Sequence, residues 1–194
     1  MAETLDRLLG EIEACRACAG HLPHEPRPVL RGAAGARILL AGQAPGRKVH
    51  ESGVPWLDAS GERLREWLEV DAATFYDASR FAIVPMGFCY PGRGSSGDLP
   101  PRAECRALWH PRLLPLLGEV RLILAVGEYA QAYHLPRRKK SLTETVAAWR
   151  EYLPGAAPLP HPSPRNQLWL RRNPWFEREL LPELRLLVKT ILED

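Results

Sequence analysis

The amino-acid sequence predicts an α/β fold: a single domain in three α/β/α layers with a short central four-stranded parallel sheet. Three observations support this prediction. The chain has 194 residues and a hydrophobic content of 45%, which suits one domain with a sizeable core. Short apolar runs alternate with segments of helical periodicity, as in parallel sheets covered by helices. The apolar runs have the length of strands and are too short to span a membrane.

In the first half of the chain, hydrophobic periodicity and turn-forming residues predict the elements. Leu64, Trp67 and Leu68 recur at helical spacing and mark one face of a helix. A segment rich in Gly, Ser and Pro interrupts the pattern and predicts an irregular loop. The predicted elements are helices at residues 4–14 and 60–70, strands at 37–41 and 81–85, and the loop at 90–101.

In the second half, prolines and a capping residue add to the periodicity. Pro111 and Pro115 predict interruptions of the helix that begins at Arg102, because proline lacks an N–H and clashes with the preceding turn. Asn173 is the predicted N-cap of the C-terminal helix, with Pro174 at its first position. The other predicted elements are strands at residues 121–126 and 157–159 and helices at 128–135 and 142–149.

An unusual loop follows the first predicted strand, at the edge where α/β sheets place their sites. Its glycines and prolines leave backbone N–H groups free to face a ligand. Trp56 offers a flat ring for stacking, Asp58 suits either a helix cap or an active-site acid, and His50 suits either packing or catalysis. The candidate ligand-binding backbone is that of Gly42, Gln43, Ala44, Pro45 and Gly46.

A second loop, His-Pro-Ser-Pro-Arg-Asn, follows the last predicted strand and begins at His161. Each proline fixes its own φ and restricts the residue before it, so the loop is predicted to be stiff. Such a loop can hold a histidine at a site with little reorganisation. A solid basic run lies upstream, and beside a site such a run suggests phosphate contacts rather than a merely solvated surface. That run is Arg137, Arg138, Lys139 and Lys140.

The four cysteines form two groups, a CxxC turn at Cys15 and Cys18 and a second pair at Cys89 and Cys105. A CxxC turn can give two thiolates to one metal centre, and a second pair brought close by folding completes a four-sulfur site. The alternative is four unrelated buried thiols. The charged start of the chain is not typical of a signal peptide, so we expect a cytoplasmic protein whose reduced thiols favour metal ligation over disulfides.

Taken in order, the CxxC turn, the GQAPG loop, the second cysteine pair and the HPSPRN loop resemble the uracil-DNA glycosylase superfamily. The resemblance covers nearly the whole chain and is specifically to the branches with a four-cysteine cluster, families 4 and 5. It implies one domain over residues 1–194, with segment 1–36 tied to the core through the cysteines. It also implies that the four cysteines hold a structural [4Fe–4S] cluster, with zinc as the alternative.

The resemblance further implies roles for the two loops. The first loop binds the base, and Trp56 matches the aromatic residue that stacks on the flipped uracil. His161 matches the histidine that faces the base carbonyl. The rest of the second loop matches the segment that fills the vacated helix: Ser163, Pro164, Arg165 and Asn166.

The first loop departs from the family patterns in its acidic residues. Gln43 replaces the Glu typical of family 4, and residues 47–49 are not acidic. Gln43 fits the GQDPYH version of the loop, but the catalytic Asp of that version falls on Ala44. The Asp-Ala-Ser-Gly stretch of family 5 is matched from Asp58 onward. We therefore expect Asp58 to orient the attacking water, with His50 as second choice.

The function expected from this resemblance is base-excision repair, by hydrolysis of the N-glycosidic bond of uracil in DNA to leave an abasic site. Other deaminated bases are further candidate substrates. We expect a monomer that acts on uracil-containing DNA and not on membranes. Two alternatives stay open: a weak or inactive lesion-binding protein of the same fold, and a zinc-stapled protein that does not bind DNA.

Overall fold

The computed structural model describes residues 3–194, which form six strands and nine α-helices. The strands are β1 (Ile38–Ala41), β2 (Phe81–Ile83), β3 (Arg93–Gly94), β4 (Gly97–Asp98), β5 (Leu122–Val126) and β6 (Ala156–Leu159). The helices are α1 (Leu5–Glu13), α2 (Arg47–Ser52), α3 (Ala59–Leu68), α4 (Ala72–Tyr76), α5 (Ala103–Leu113), α6 (Gly127–His134), α7 (Leu142–Ala147), α8 (Gln167–Arg172) and α9 (Leu181–Glu193).

Four of the strands form a parallel sheet in the order β2-β1-β5-β6. In its register Leu40 of β1 lies between Ile83 of β2 and Leu124 of β5. The chain runs from β1 to one side and then returns to the other side of β1. Sheets with such a reversal bind ligands at the carboxyl ends of their strands.

Two apolar layers cover the sheet because its side chains alternate between the faces. Ile38 and Leu40 face α3, α9 and the segment between α8 and α9, whose Phe176 is fully buried. Leu39 faces the opposite layer, where α1 and α5 pack. Ala41 packs towards α6 on that same side. The predicted three-layer α/β/α fold with a four-stranded parallel sheet is confirmed.

The N-terminal segment packs along one side of the molecule. Leu8 and Ile12 of α1 are fully buried against Trp109 and Leu113 of α5. Further along, Arg31 forms an antiparallel bridge with Ile83 and so covers the outer edge of β2. The predicted domain limits include residues 1 and 2, which lie outside the described residues, and those limits stay a prediction.

Two local predictions were wrong. Helix α5 continues through Pro111 to Leu113, because burial of its apolar residues offsets the one hydrogen bond that proline removes. The amide of Asn173 donates to the carbonyl of Trp169 (2.8 Å) rather than capping a helix. A wide π turn over Phe176–Leu180 begins the C-terminal helix. It accommodates the proline at position 182, whose ring would otherwise meet the carbonyl four residues earlier.

Candidate active site

The two loops singled out in the sequence meet at one cavity of about 590 Å³ at the carboxyl ends of β1 and β6. Buried residues such as Gly42, Ser60 and Pro85 line its closed end. Exposed residues, among them Pro164 and Arg165, line its mouth. All five residues of the GQAPG segment are in the lining, together with Trp56, Asp58, His161, Ser163 and Asn166.

Two glycines allow Trp56 to lie in this cavity. A side chain at position 61 would overlap the carbonyl oxygen of Trp56, and a Cβ on Gly42 would lie 2.9 Å from Cζ2 of its indole. Trp56 itself has φ of 57°, a left-handed conformation that is rare and costly for a bulky residue. The tight loop therefore fixes the indole, which stacks on the imidazole of His161 with a centroid separation of 5.6 Å.

The second loop fixes the imidazole of His161 in one tautomer. The backbone N–H of Ser163 donates to Nδ1 (3.2 Å), so the ring carries its proton on Nε2. Asn166 donates from its amide to the carbonyl of His161 (2.7 Å) and closes the loop. Burial lowers the pKa of His161, and the carboxylates of Asp58 and Asp98 only partly oppose that shift. At neutral pH the ring is therefore a neutral N–H donor.

Asp58 serves as the N-cap of α3. Its Oδ1 accepts a hydrogen bond from the backbone N–H of Gly61 (2.9 Å). The carboxylate is only partly buried and also lines the cavity. The capping and active-site interpretations of this residue are therefore compatible, because the cap uses one carboxylate oxygen and the other accepts no hydrogen bond from residues 3–194.

A second carboxylate in the cavity, Asp98, was missed in the sequence. It lies on a small hairpin formed by β3 and β4, inside the segment predicted to be an irregular loop. The hairpin touches both site loops. Oδ2 of Asp98 is 3.5 Å from the position of a Cβ on Gly46, and Nη1 of Arg165 is 2.9 Å from that of a Cβ on Gly97. The only sequence signal for this placement was the spacing of glycines around Asp98.

His50 lies apart from the cavity lining. Its ring packs against those of His24 (centroids 5.1 Å apart) and Tyr90 (6.0 Å). Its Nδ1 is buried without a hydrogen-bond partner among the described residues. Burial and the neighbouring His24 lower its pKa. This placement gives less support to His50 than to Asp58 as a group that contacts substrate.

The basic run follows α6 and is partly neutralised. Lys139 pairs with Glu151 (2.6 Å), and Arg138 lies 3.8 Å from Glu128. Arg137 and Lys140 are exposed, and neither forms an ion pair within residues 3–194. These two side chains are the ones in the run that are available to phosphates.

The four cysteines converge although they are far apart in the sequence. All four are free thiols and line one small cavity between the segment after α1, helix α5 and the segment after β2. The backbone N–H of Phe88 donates to Sγ of Cys105 (3.3 Å). Burial raises the pKa of Cys89 to about 11 and that of Cys105 to about 12. Within residues 3–194, no group of three or more His, Cys, Asp or Glu side chains is placed to hold a single metal ion.

Comparison with known proteins assigns the family. The sequence pattern of the Uracil DNA glycosylase superfamily matches residues 30–185. The chain is also similar to the type-4 uracil-DNA glycosylase of Thermotoga maritima, with 24% identity over 168 residues, which are 83% of this chain and 82% of that protein. The chain belongs to the uracil-DNA glycosylase superfamily, and the family predicted from its motifs is confirmed.

No helix in the described part of the chain is long and apolar enough to cross a membrane.

Proposed function

We propose that this protein is a uracil-DNA glycosylase of the type-4-like group, which hydrolyses the bond between uracil and deoxyribose in DNA. The observation that carries the proposal is the pairing of Trp56 with a neutral His161 in one cavity, in a chain that belongs to this superfamily. The product is free uracil and an abasic site, the first step of base-excision repair.

The cavity suits a flipped base because its closed end combines apolar, aromatic and polar groups. Uracil is flat, so it can stack on an aromatic ring while its carbonyls accept hydrogen bonds. Trp56 supplies the ring, and backbone N–H groups of the GQAPG segment with Nε2–H of His161 supply donors. Taking the base out of the stack costs about a few kcal/mol, which contacts with the DNA backbone must offset.

Cleavage produces a positive charge on the sugar and a negative charge on the base. The cavity has a carboxylate, Asp58, that suits the first charge and an N–H donor, His161, that suits the second. The C–N bond breaks toward a sugar cation and a uracil anion, whose negative charge spreads onto the base oxygen. A neutral imidazole that donates from Nε2 stabilises that anion by preorganised electrostatics. Asp58 is the proposed group that orients the attacking water with its free oxygen. The oxygen of water then bonds to the sugar carbon. One proton of that water passes to a carboxylate and from there to solvent.

The mouth of the cavity is the proposed contact surface for DNA. Arg165 is exposed there, and Arg137 and Lys140 are free to meet phosphates, which supply affinity without reading sequence. The second loop, from Ser163 through Asn166, is the proposed segment that enters the helix. Leu168 follows it and is 55% exposed, and apolar side chains of this kind serve as wedges between bases.

We propose the four cysteines as ligands of an iron–sulfur cluster. Four thiols around one cavity fit the donor set that such clusters require. When bound, the cluster supplies a cross-link and no step of the hydrolysis. It would tie the segment at Cys15 and Cys18 to the segments at Cys89 and Cys105. Visible absorbance of the purified protein tests this assignment, since a colourless, zinc-loaded protein contradicts it.

A single-turnover cleavage assay tests the proposed reaction on uracil-containing DNA, single- and double-stranded. Wild type is expected to form abasic sites, while Asp58→Ala and His161→Ala slow the reaction. Each is expected to lose about 10²-fold or more, the loss typical of an electrostatic donor or general base. A wild-type protein that binds uracil-containing DNA but forms no abasic product would be a lesion-binding protein. Full activity in Asp58→Ala would remove Asp58 as the water-orienting group.

A further inference from the structure

The hairpin of β3 and β4 forms the third wall of the cavity. Its strands pair Arg93 with Asp98 and Gly94 with Gly97. Gly97 has φ of 143°, a conformation that other residues rarely adopt. Its close approach to Arg165 joins the hairpin to the second loop, while Asp98 reaches the first loop at Gly46. The hairpin therefore places its one carboxylate between the two loops.

The burial of the lining residues separates a base end from a sugar end. Gly42, Ser60 and Pro85 are buried, whereas Ser96 and Asp98 are exposed. A base that leaves the stack enters the closed end, because its attached sugar must remain connected to the DNA backbone outside. A carboxylate at the exposed end is therefore placed to meet the sugar.

The two carboxylates of the lining differ in how they are engaged. Oδ1 of Asp58 is held by the N–H of Gly61 at the start of α3. Among residues 3–194, Asp98 accepts a single hydrogen bond, a long one from the hydroxyl of Tyr90 (3.5 Å). It forms no ion pair with any residue from 3 to 194, although Arg93 is its partner in the hairpin register. Asp98 is therefore the more weakly hydrogen-bonded of the two carboxylates.

A carboxylate at this place works against DNA binding, because it repels the phosphates that approach the mouth. The same charge stabilises a cation that develops beside it during reaction. Positions 43 and 44 of the first loop carry no acid, and the hairpin places the carboxylate of Asp98 beside Gly46 of that loop.

We propose that Asp98 is a second catalytic carboxylate, which faces the sugar, stabilises its positive charge and accepts the proton of the attacking water. Asp58 orients that water. As the oxygen of water bonds to the sugar carbon, the C–N pair stays with uracil and one water proton passes to Asp98 and then to solvent. This inference rests on the proposed glycosylase function.

The test is single-turnover cleavage of uracil-containing DNA by wild type, Asp98→Asn, Asp98→Glu and Glu51→Gln, with DNA dissociation constants measured in parallel. Asp98→Asn keeps the shape and removes the charge. Glu51→Gln is the matched control, because it removes one exposed negative charge on α2, outside the cavity lining. Thermal unfolding of each variant shows whether it is folded.

The expected result is that Asp98→Asn cleaves about 10²-fold or more slowly than wild type and binds DNA at least as tightly. Asp98→Glu is expected to recover part of the rate, while Glu51→Gln cleaves at the wild-type rate. Equal rates for Asp98→Asn and Glu51→Gln overturn the inference and leave the glycosylase function standing. A slower Asp98→Asn whose DNA binding is weakened to the same extent also overturns it, in favour of a DNA contact. A wild type that forms no abasic product overturns the proposed function and the inference with it.

Discussion

The substitution Gly42→Ala tests whether the position of the Trp56 indole controls catalysis. The new methyl group would lie 2.9 Å from Cζ2 of Trp56, whereas two carbon atoms pack best at about 3.5–4.0 Å. The indole must therefore move by at least about 0.6 Å if the backbone stays in place. Because Trp56 stacks on His161, that movement also disturbs the group proposed to stabilise the departing base.

The magnitudes for stability and for rate differ, which makes the substitution informative. Adding a methyl group to a packed site costs about 1–3 kcal/mol of unfolding free energy. For a chain of this size that lowers the melting temperature by about 2–4 °C per kcal/mol. A misplacement of about 1 Å near reacting groups can cost about 10²-fold in rate. We therefore expect a folded protein whose single-turnover rate is lower by about 10-fold or more.

The matched control is Gly10→Ala, because position 10 lies inside α1 and a Cβ there meets no atom within 4 Å. Replacing a glycine in a helix interior stabilises by about 0.5–1 kcal/mol. Gly10→Ala should therefore melt higher than wild type and cleave at the same rate. The same change from glycine to alanine is therefore expected to lower the stability of the protein at position 42 and to raise it at position 10.

The reasoning would be refuted by a Gly42→Ala protein that cleaves uracil-containing DNA at the wild-type rate. It would also fail if Gly42→Ala slowed cleavage only as much as Gly10→Ala. In either case the contact between the first loop and the indole would not set the geometry of the reaction. Circular dichroism separates a displaced side chain from an unfolded protein.

Three other predictions concern stability, DNA binding and the cysteines. Burial lowers the pKa of His110 and of His134 to about 4 from 6.5, so only the unfolded chain takes up these protons between those values. Stability is therefore retained above about pH 6.5 and falls towards pH 4, by about 3 kcal/mol for the fully buried His110, as measured by urea unfolding across that range. Replacing Arg137 and Lys140 with Ala should reduce the slope of log K against log salt by about 0.9 for each DNA phosphate that is no longer neutralised, as measured by fluorescence anisotropy. Cys18→Ser should remove visible absorbance from the purified protein and lower its melting temperature.

Each of these predictions has a control that contradicts it if the reasoning is wrong. A His110→Gln protein should lose stability less steeply on acidification than wild type, and an equal slope would show that His110 is not the cause. Lys139→Ala should change the salt dependence less than Lys140→Ala, because Glu151 already pairs with Lys139. An unchanged spectrum in Cys18→Ser would remove that residue as a ligand.

The sheet was predictable because each of its strands is a short apolar run. Parallel strands are buried on both faces, and residues such as Leu122 and Leu124 therefore stand out against polar loops. The ends of helices were less predictable, because they depend on tertiary contacts. The sequence pattern predicted an N-cap at Asn173, but the π turn and the backward hydrogen bond of this residue follow from how Phe176 packs in the core.

In the candidate site, too, the residues marked by local sequence patterns were predictable, and those placed by tertiary contacts were not. Trp56 and His161 were found because they sit in stiff loops directly after strands, and parallel topology brings such loops together. Asp98 was missed because its hairpin has only two residues in each strand and no apolar pattern. Its placement depends on the approach of the hairpin to Gly46 and Arg165, which no local rule predicts.

In the proposed mechanism, two other carboxylates take the place of the acid that the family patterns have at the start of the first loop. Here one carboxylate, Asp58, is combined with a helix cap, and another, Asp98, is supplied from a separate hairpin. Because the two are held by different elements, their removal should have separable effects. Asp58→Asn keeps an oxygen that can cap α3 and should lower the rate without unfolding, whereas Asp58→Ala should also lose about 1 kcal/mol of stability from the missing cap. Equal melting temperatures for these two variants would show that the cap at Asp58 contributes little to the fold.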